Sequence, residues 1–176
     1  MTREAWLTWG AIAVLAGVSA ALGLWLGQRV FLPAEQPPPP GLAVASTGDL
    51  LPLIALPELE SGALMRISGP GRTRLINYWA SWCGPCRLEM PWLDALQRSS
   101  AGRFEIIGIA LENPGDAKTL LLEIPVSFPQ HHEPPGTQDS SVLLGNTWGV
   151  MPFTVLIDPQ GRLVKRHIGV FAGELQ

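Results

Sequence analysis

Cys83 and Cys86 are the two cysteines of the chain and lie two residues apart within "YWASWCGPCRLEMP", residues 78–91. Three chemistries use such a pair: a structural disulfide, half of a zinc site, or a redox couple cycling between dithiol and disulfide. A disulfide stabilises chiefly by restricting the unfolded chain, and a loop this short restricts very little. Zinc takes four ligands, and Cys-x-x-Cys supplies two of them. His131 and His132 are the candidates for the other two. Adjacent residues on an extended segment point in opposite directions, however, and the usual histidine spacing of three to five is missing. The histidine pair reads instead as part of a solvated loop.

For the redox reading, each neighbouring residue has a physical reason to be there. "RLINYW", Arg74 to Trp79, reads as a buried strand that runs into a short turn. A helix from about Pro85 to Arg98 then places Cys83 at its N-terminus, where unpaired N–H groups and the helix dipole stabilise a thiolate. Lowering a thiol pKa from about 8.5 to about 7 raises its thiolate fraction at neutral pH from a few per cent to about half. Cys83 is then the nucleophile, and Cys86, one turn further in, the resolving thiol. Pro85 suits the first helical turn, where a missing N–H costs little. Glu89, one turn beyond Cys86, has two readings: a carboxylate that moves protons for the resolving thiol, or an exposed first-turn acid that complements the dipole. Pro91 removes the hydrogen bond to the Arg87 carbonyl and is expected to kink the helix. Met90, Leu93 and Leu96 form its buried stripe.

The elements that must hold this pair alternate between strand and helix. "LPLIALPELESGALMRI" reads as two short strands around Ser61-Gly62, and "FEIIGIAL", Phe104 to Leu111, as a second apolar strand. Pro114 to Leu122 turns helical, Ser140 to Trp148 forms another short helix, and "FTVLID" and "RLVKRHIGV" flank Pro159-Gln160-Gly161 as a hairpin. The expected class is α/β, with a central mixed sheet flanked by helices.

The 176 residues are 47% hydrophobic and 15% charged, with a net charge of -3. There is no basic face for nucleic acid, and part of the apolar excess is concentrated at the start. Ala5 to Gln28 carries no charge, and as a helix the run from Ala5 to Leu26 reaches roughly 33 Å, about the hydrocarbon thickness of a bilayer. Residues 1–29 are therefore read as an N-terminal transmembrane helix, an anchor with Trp6, Trp9 and Trp25 as interfacial aromatics. A cleaved signal peptide is the rival reading, through Val18-Ser19-Ala20, but its apolar region is usually about 7–15 residues. Residues 30–47, with "PAEQPPPPG", form a spacer that lifts the following domain some 20–30 Å off the membrane if extended as polyproline II. Residues 48–176 form one domain.

"NYWASWCGPCRLEMPWLDAL" resembles the active-site segment of membrane-anchored thioredoxin-like proteins of the TlpA/ResA type. "WGVMPFTVLIDPQGRLVKRHIG", residues 148–169, is similar to the segment in which that family carries a cis-proline before its final hairpin, and "FEIIGIALENP" matches its central strand. The resemblance implies a thioredoxin-like fold and a membrane-held thiol:disulfide oxidoreductase that works without a cofactor or metal. It places Cys83 and Cys86 on the redox-active disulfide and Glu89 on the acid of the family's WCxxCxxExP pattern. Pro152 falls on the cis-proline, with Met151 and Trp82 beside the sulfurs as substrate-binding residues. Asn77 stands where thioredoxin has a buried aspartate, so the proton role is expected to move to Glu89. Phe153 replaces a common threonine and is expected to alter the groove, and "FAGELQ" reads as the first turn of a C-terminal helix.

By the same resemblance the catalytic domain faces the periplasm or cell exterior of the bacterial cytoplasmic membrane. There a reductase needs electrons delivered across the bilayer, which implies a transmembrane dithiol donor of the DsbD/CcdA type. Implied clients are disulfide-bearing or thiol proteins, such as those of cytochrome c maturation or copper-site assembly. The alternatives are a thiol oxidase or isomerase of secreted proteins, a copper-binding chaperone of the same fold, and a peroxidase.

Overall fold

A computed structural model of the chain describes residues 14–23, 25 and 43–170. The chain divides into two units, residues 1–37 and 38–176. In the first, residues 14–23 are helical. Among the described residues no helix is long and apolar enough to cross a membrane, and the expected anchor and spacer fall largely outside them, as does "FAGELQ".

The second unit is built on a five-stranded sheet. Its strands are β3 (Thr73–Trp79), β4 (Phe104–Ala110), β5 (Gln130–His132), β6 (Phe153–Ile157) and β7 (Leu163–Ile168), in the order β5-β4-β3-β6-β7. β3 pairs parallel with β4, and β4 with β5, whereas β6 runs antiparallel to β3 and β7 antiparallel to β6. The sheet is therefore mixed, as the alternation of elements implied. A separate hairpin, β1 (Ala55–Pro57) and β2 (Leu64–Arg66), turns at Ser61-Gly62, with Gly62 at a φ of 70° that side chains rarely adopt. Helices α1 (Gly84–Ser99), α2 (Pro114–Glu123) and α3 (Ser140–Leu143) fill the connections.

Alternation along β3 sorts the core. Ile76 and Tyr78 pack with Ile107, Ile109, Phe153 and Val155 on one face. Leu75 packs with Leu93 of α1 on the other, and Trp79 with Met90. Pro91 does not end α1, which runs on to Ser99 with Pro91 on its exposed side.

Three sequence expectations are corrected. The helix expected over Ser140–Trp148 stops at Leu143, because Gly145 takes a φ of 110° and the Asn146 side chain then bonds the Val150 backbone through both its oxygen and its nitrogen. His131 is not in a solvated loop: it is 3% exposed in β5, opposite Ile109 and bridged to Glu58. A three-residue strand is too short to show a period in sequence. Phe153 does not shape a groove. It is fully buried against Tyr78, ring centroids 5.8 Å apart, because strand alternation turns it toward the opposite face from Thr154.

Burial is the largest influence on His131 and lowers its pKa from the usual 6.5, against the opposing pull of the Leu56 and Pro57 backbone and the Glu58 and Glu105 carboxylates. Below about pH 6.5 the unfolded chain binds more protons than the fold, so stability is lost as the pH falls into that window. The urea midpoint is expected to drop between about pH 7 and about pH 5. That drop should be smaller in His131→Gln, and an identical pH slope in the two proteins would rule the histidine out as its source.

Candidate functional site

β3 ends at Trp79, and the chain turns through Ala80, Ser81 and Trp82 into α1. Cys83 is the N-cap of that helix, in extended geometry at φ -83° and ψ 99°. Its N–H donates to the Ala80 carbonyl at 3.1 Å, and its own carbonyl accepts from Arg87 N–H at 3.2 Å. Its sulfur takes the place of the usual capping oxygen, accepting from the Cys86 N–H at 3.2 Å. Cys83 and Cys86 are joined as a disulfide. Cys83 is 5% exposed and Cys86 1%, so Cys83 is the less deeply buried residue of the two. Pro85 lies in the first helical turn, where it leaves no donor unpaired.

Glu89 is 1% exposed, which overturns its reading as an exposed first-turn acid. The Asn77 side-chain nitrogen donates to Glu89 Oε1 at 2.6 Å and to Thr154 Oγ1 at 3.0 Å. Register explains the meeting: Asn77 shares the α1 face of β3 with Leu75 and Trp79, and Thr154 is its direct partner on β6. Asn77 also pairs with Gly108 of β4, which pairs with Gln130 of β5, so a row of polar residues crosses the sheet under α1. The glycine has a clear reason, since a Cβ at Gly108 would run into the Gln130 amide. With that space open, Gln130 reaches across to accept from the Trp79 indole N–H at 2.9 Å.

Beside the disulfide, the Met151–Pro152 peptide bond is cis. Pro152 is buried, and Met151 packs against the cluster that contains both cysteines. Met151 and Trp82 also line a cleft of about 590 Å³, whose wall includes Leu111, Glu112, Asp139 and Val142. Trp82 is 71% exposed at its mouth, and Trp148 is exposed as well. The structure thus gathers five of the six candidates, Cys83, Cys86, Trp82, Met151 and Pro152, at one end of the sheet, and sets Glu89 in the buried polar row beneath α1. Among the described residues no group of three or more His, Cys, Asp or Glu side chains converges as a metal site.

Two participants were not picked out from sequence. Gln130 lies beyond the range of any local pattern. Glu112 comes just after β4 and accepts from both the N–H and the hydroxyl of Ser81, each at 2.7 Å. On the opposite face, the Tyr78 hydroxyl meets the Ser140 hydroxyl at 2.9 Å, and Ser140 donates to Glu133 at 2.6 Å. Burial raises the Tyr78 pKa, so the phenol stays protonated and serves as structure.

The pattern of the Redoxin family matches residues 46–175. The chain belongs to the Redoxin family. It is 31% identical over 140 residues to the thiol:disulfide interchange protein HelX of Rhodobacter capsulatus, covering 77% of this chain and 75% of HelX. It is 26% identical over 165 residues to the thiol-disulfide oxidoreductase ResA of Halalkalibacterium halodurans, covering 92% of this chain and 86% of ResA. Among solved structures, the thiol:disulfide interchange protein DsbE of Chlorobium tepidum superposes with a TM-score of 0.65 at 31% identity, over 74% of this chain and 90% of that one. These relatives establish the thioredoxin-like fold, and with it a thiol:disulfide oxidoreductase of the Redoxin family that carries a Cys-x-x-Cys pair.

Asn77→Ala takes an amide donor from a buried carboxylate and leaves Thr154 without its cross-strand partner. The expected loss is about 1–3 kcal/mol in urea unfolding of the oxidised protein, whereas Thr154→Val should cost less, because Asn77 keeps its bond to Glu89.

Proposed function

We propose that this protein reduces disulfides of extracytoplasmic proteins, with Cys83 as nucleophile and Cys86 as resolving thiol. The supporting observation is the disulfide placed as the cap of α1: Cys83 is the less buried residue of the pair and sits where a thiolate gains from the helix N-terminus. In the reduced enzyme the Cys83 thiolate attacks one sulfur of a client disulfide, breaking that bond and releasing the client's other sulfur as a thiol. Cys86 then gives up its proton and attacks Cys83. The second client thiol leaves, and two electrons have passed from enzyme to client. Glu89, one helical turn from Cys86 and held by Asn77, is the acceptor for the Cys86 proton. Met151 offers its backbone to an extended client segment across Pro152, and Trp82 covers that segment at the mouth of the cleft.

Direction is set by redox poise. The Gly-Pro dipeptide between the cysteines is that of thioredoxin, near -270 mV, against about -120 mV for the oxidant DsbA, and the difference of about 150 mV is roughly 7 kcal/mol for two electrons. A measured potential above about -150 mV would reverse the assignment and favour an oxidase or isomerase. By the same reading, residues 1–29 hold the domain at the bacterial cytoplasmic membrane, facing the periplasm or cell exterior, through the spacer at 30–47. A transmembrane dithiol carrier of the DsbD/CcdA type restores the reduced form, and the clients are proteins of cytochrome c maturation or copper-site assembly. The uncharged run from Ala5 to Gln28 supports the anchor.

Cys86→Ser is expected to arrest exchange at the mixed disulfide and accumulate client adducts on Cys83, visible on non-reducing gels. Cys83→Ser should accumulate none; equal trapping by both variants would overturn the roles. Deleting residues 1–29 should move the protein from the membrane fraction to the soluble fraction while insulin-disulfide reduction continues, and retention in the membrane would remove the anchor from this account.

A further inference from the structure

β3 and β4 leave the sheet side by side. Trp79 partners Ala110, and the Leu111 N–H extends the ladder by donating to the Trp79 carbonyl at 2.9 Å. The next residue on the β4 side is Glu112; on the β3 side the chain enters the Ala80–Trp82 turn that delivers Cys83. Glu112 is 7% exposed. Both of its oxygens are committed to one residue of that turn: Oε1 accepts from Ser81 N–H and Oε2 from Ser81 Oγ, each at 2.7 Å. A buried carboxylate gripping a main-chain donor and a hydroxyl of the same residue is a strong, directional clamp. Glu112 also lines the cleft at whose mouth Trp82 stands.

We propose that Glu112 is a positioning residue for disulfide exchange, holding the Ser81–Trp82 turn so that Cys83 caps α1 and keeping a negative charge close to the nucleophilic sulfur. This rests on the reading of Cys83 and Cys86 as the exchanging pair and deepens it. The same contact has two effects. The clamp ties the β3–α1 turn to the end of β4, so the sulfur and the Trp82 side of the cleft keep one relative placement through the redox cycle. The charge opposes thiolate formation on a cysteine two residues from Ser81, which weighs against the reduced, ionised form and makes the pair a stronger reductant. The helix N-terminus and Glu112 thus act in opposite directions on Cys83, and their balance sets its reactivity.

Glu112→Gln separates the two effects, because its amide oxygen still accepts from Ser81 N–H and its nitrogen can donate to Ser81 Oγ while the charge is gone. The full 176-residue chain, kept in solution with mild detergent, is equilibrated against glutathione redox buffers, and the Cys83 pKa is read from the pH dependence of iodoacetamide alkylation. Glu112→Gln is expected to lower that pKa and shift the equilibrium toward the dithiol by about three- to tenfold, the equivalent of roughly half to one pKa unit, with the fold retained by circular dichroism. Ser81→Ala keeps the charge and one hydrogen bond, so it should leave the equilibrium near that of the parent while slowing insulin reduction. Glu60→Gln, an exposed acid outside the site, is the control and should change neither. A parent-like pKa and equilibrium in a folded Glu112→Gln would overturn the electrostatic role, and parent-like insulin reduction by Ser81→Ala would overturn the clamp. If the parent chain reduces no disulfide at all, the proposed function fails instead.

Discussion

The site depends on the parallel register of β3 and β4. With Trp79 opposite Ala110, both strands run out of the sheet at the same level, and the residues that continue each of them must meet. One side supplies Ser81, Trp82 and Cys83, and the other Leu111 and Glu112. Beyond β3 the strand order reverses direction, with β6 antiparallel on its other side. In open α/β sheets the space outside the carboxyl ends of the strands, next to such a change, is where ligands are received. The cleft lined by Trp82, Glu112 and Met151 is at that place. A slip of one residue in this pairing would separate Glu112 from Ser81 and turn every β3 side chain to the wrong face.

The same register decides how polar groups are tolerated beneath α1. Asn77, Glu89, Thr154 and Gln130 are all buried, and each has a partner. Burying such groups without hydrogen bonds would cost several kcal/mol. Asn77 joins Glu89 of α1 to Thr154 of β6, and Gln130, further along the same face of the sheet, pairs with the Trp79 indole and the Phe128 carbonyl through the opening that Gly108 leaves. The row therefore supports two things at once, the indole that ends β3 and the carboxylate one turn from the resolving cysteine. Polar networks of this kind rigidify a core when complete and weaken it when a single member is lost.

The strands β3, β4, β6 and β7 were legible because their apolar runs and turn residues are local signals, and α1 and α2 because proline, glycine and periodicity mark where helices begin. β5 is not legible because three residues carry no period, and without it the sequence shows His131 only as part of a loop. Glu89 looked the same from sequence whether exposed or buried. Helical spacing gives a residue its direction around the axis but says nothing of what stands opposite, and here that is Asn77. Its place next to Pro152 points Phe153 to the groove, whereas strand alternation sends it into the core against Tyr78.

What the sequence determined by itself is the chemistry. A Cys-Gly-Pro-Cys unit between a strand and a helix caps that helix with a sulfur through contacts three residues apart, and such short-range geometry is written in the order of the residues. Tertiary structure alone decided which groups tune that chemistry. Thr154 comes to Asn77 from 77 residues away, Gln130 to Trp79 from 51, and Glu112 to Ser81 from 31. Contacts at that range exist only when sheet register brings the strands together, because no local backbone preference reaches so far along the chain.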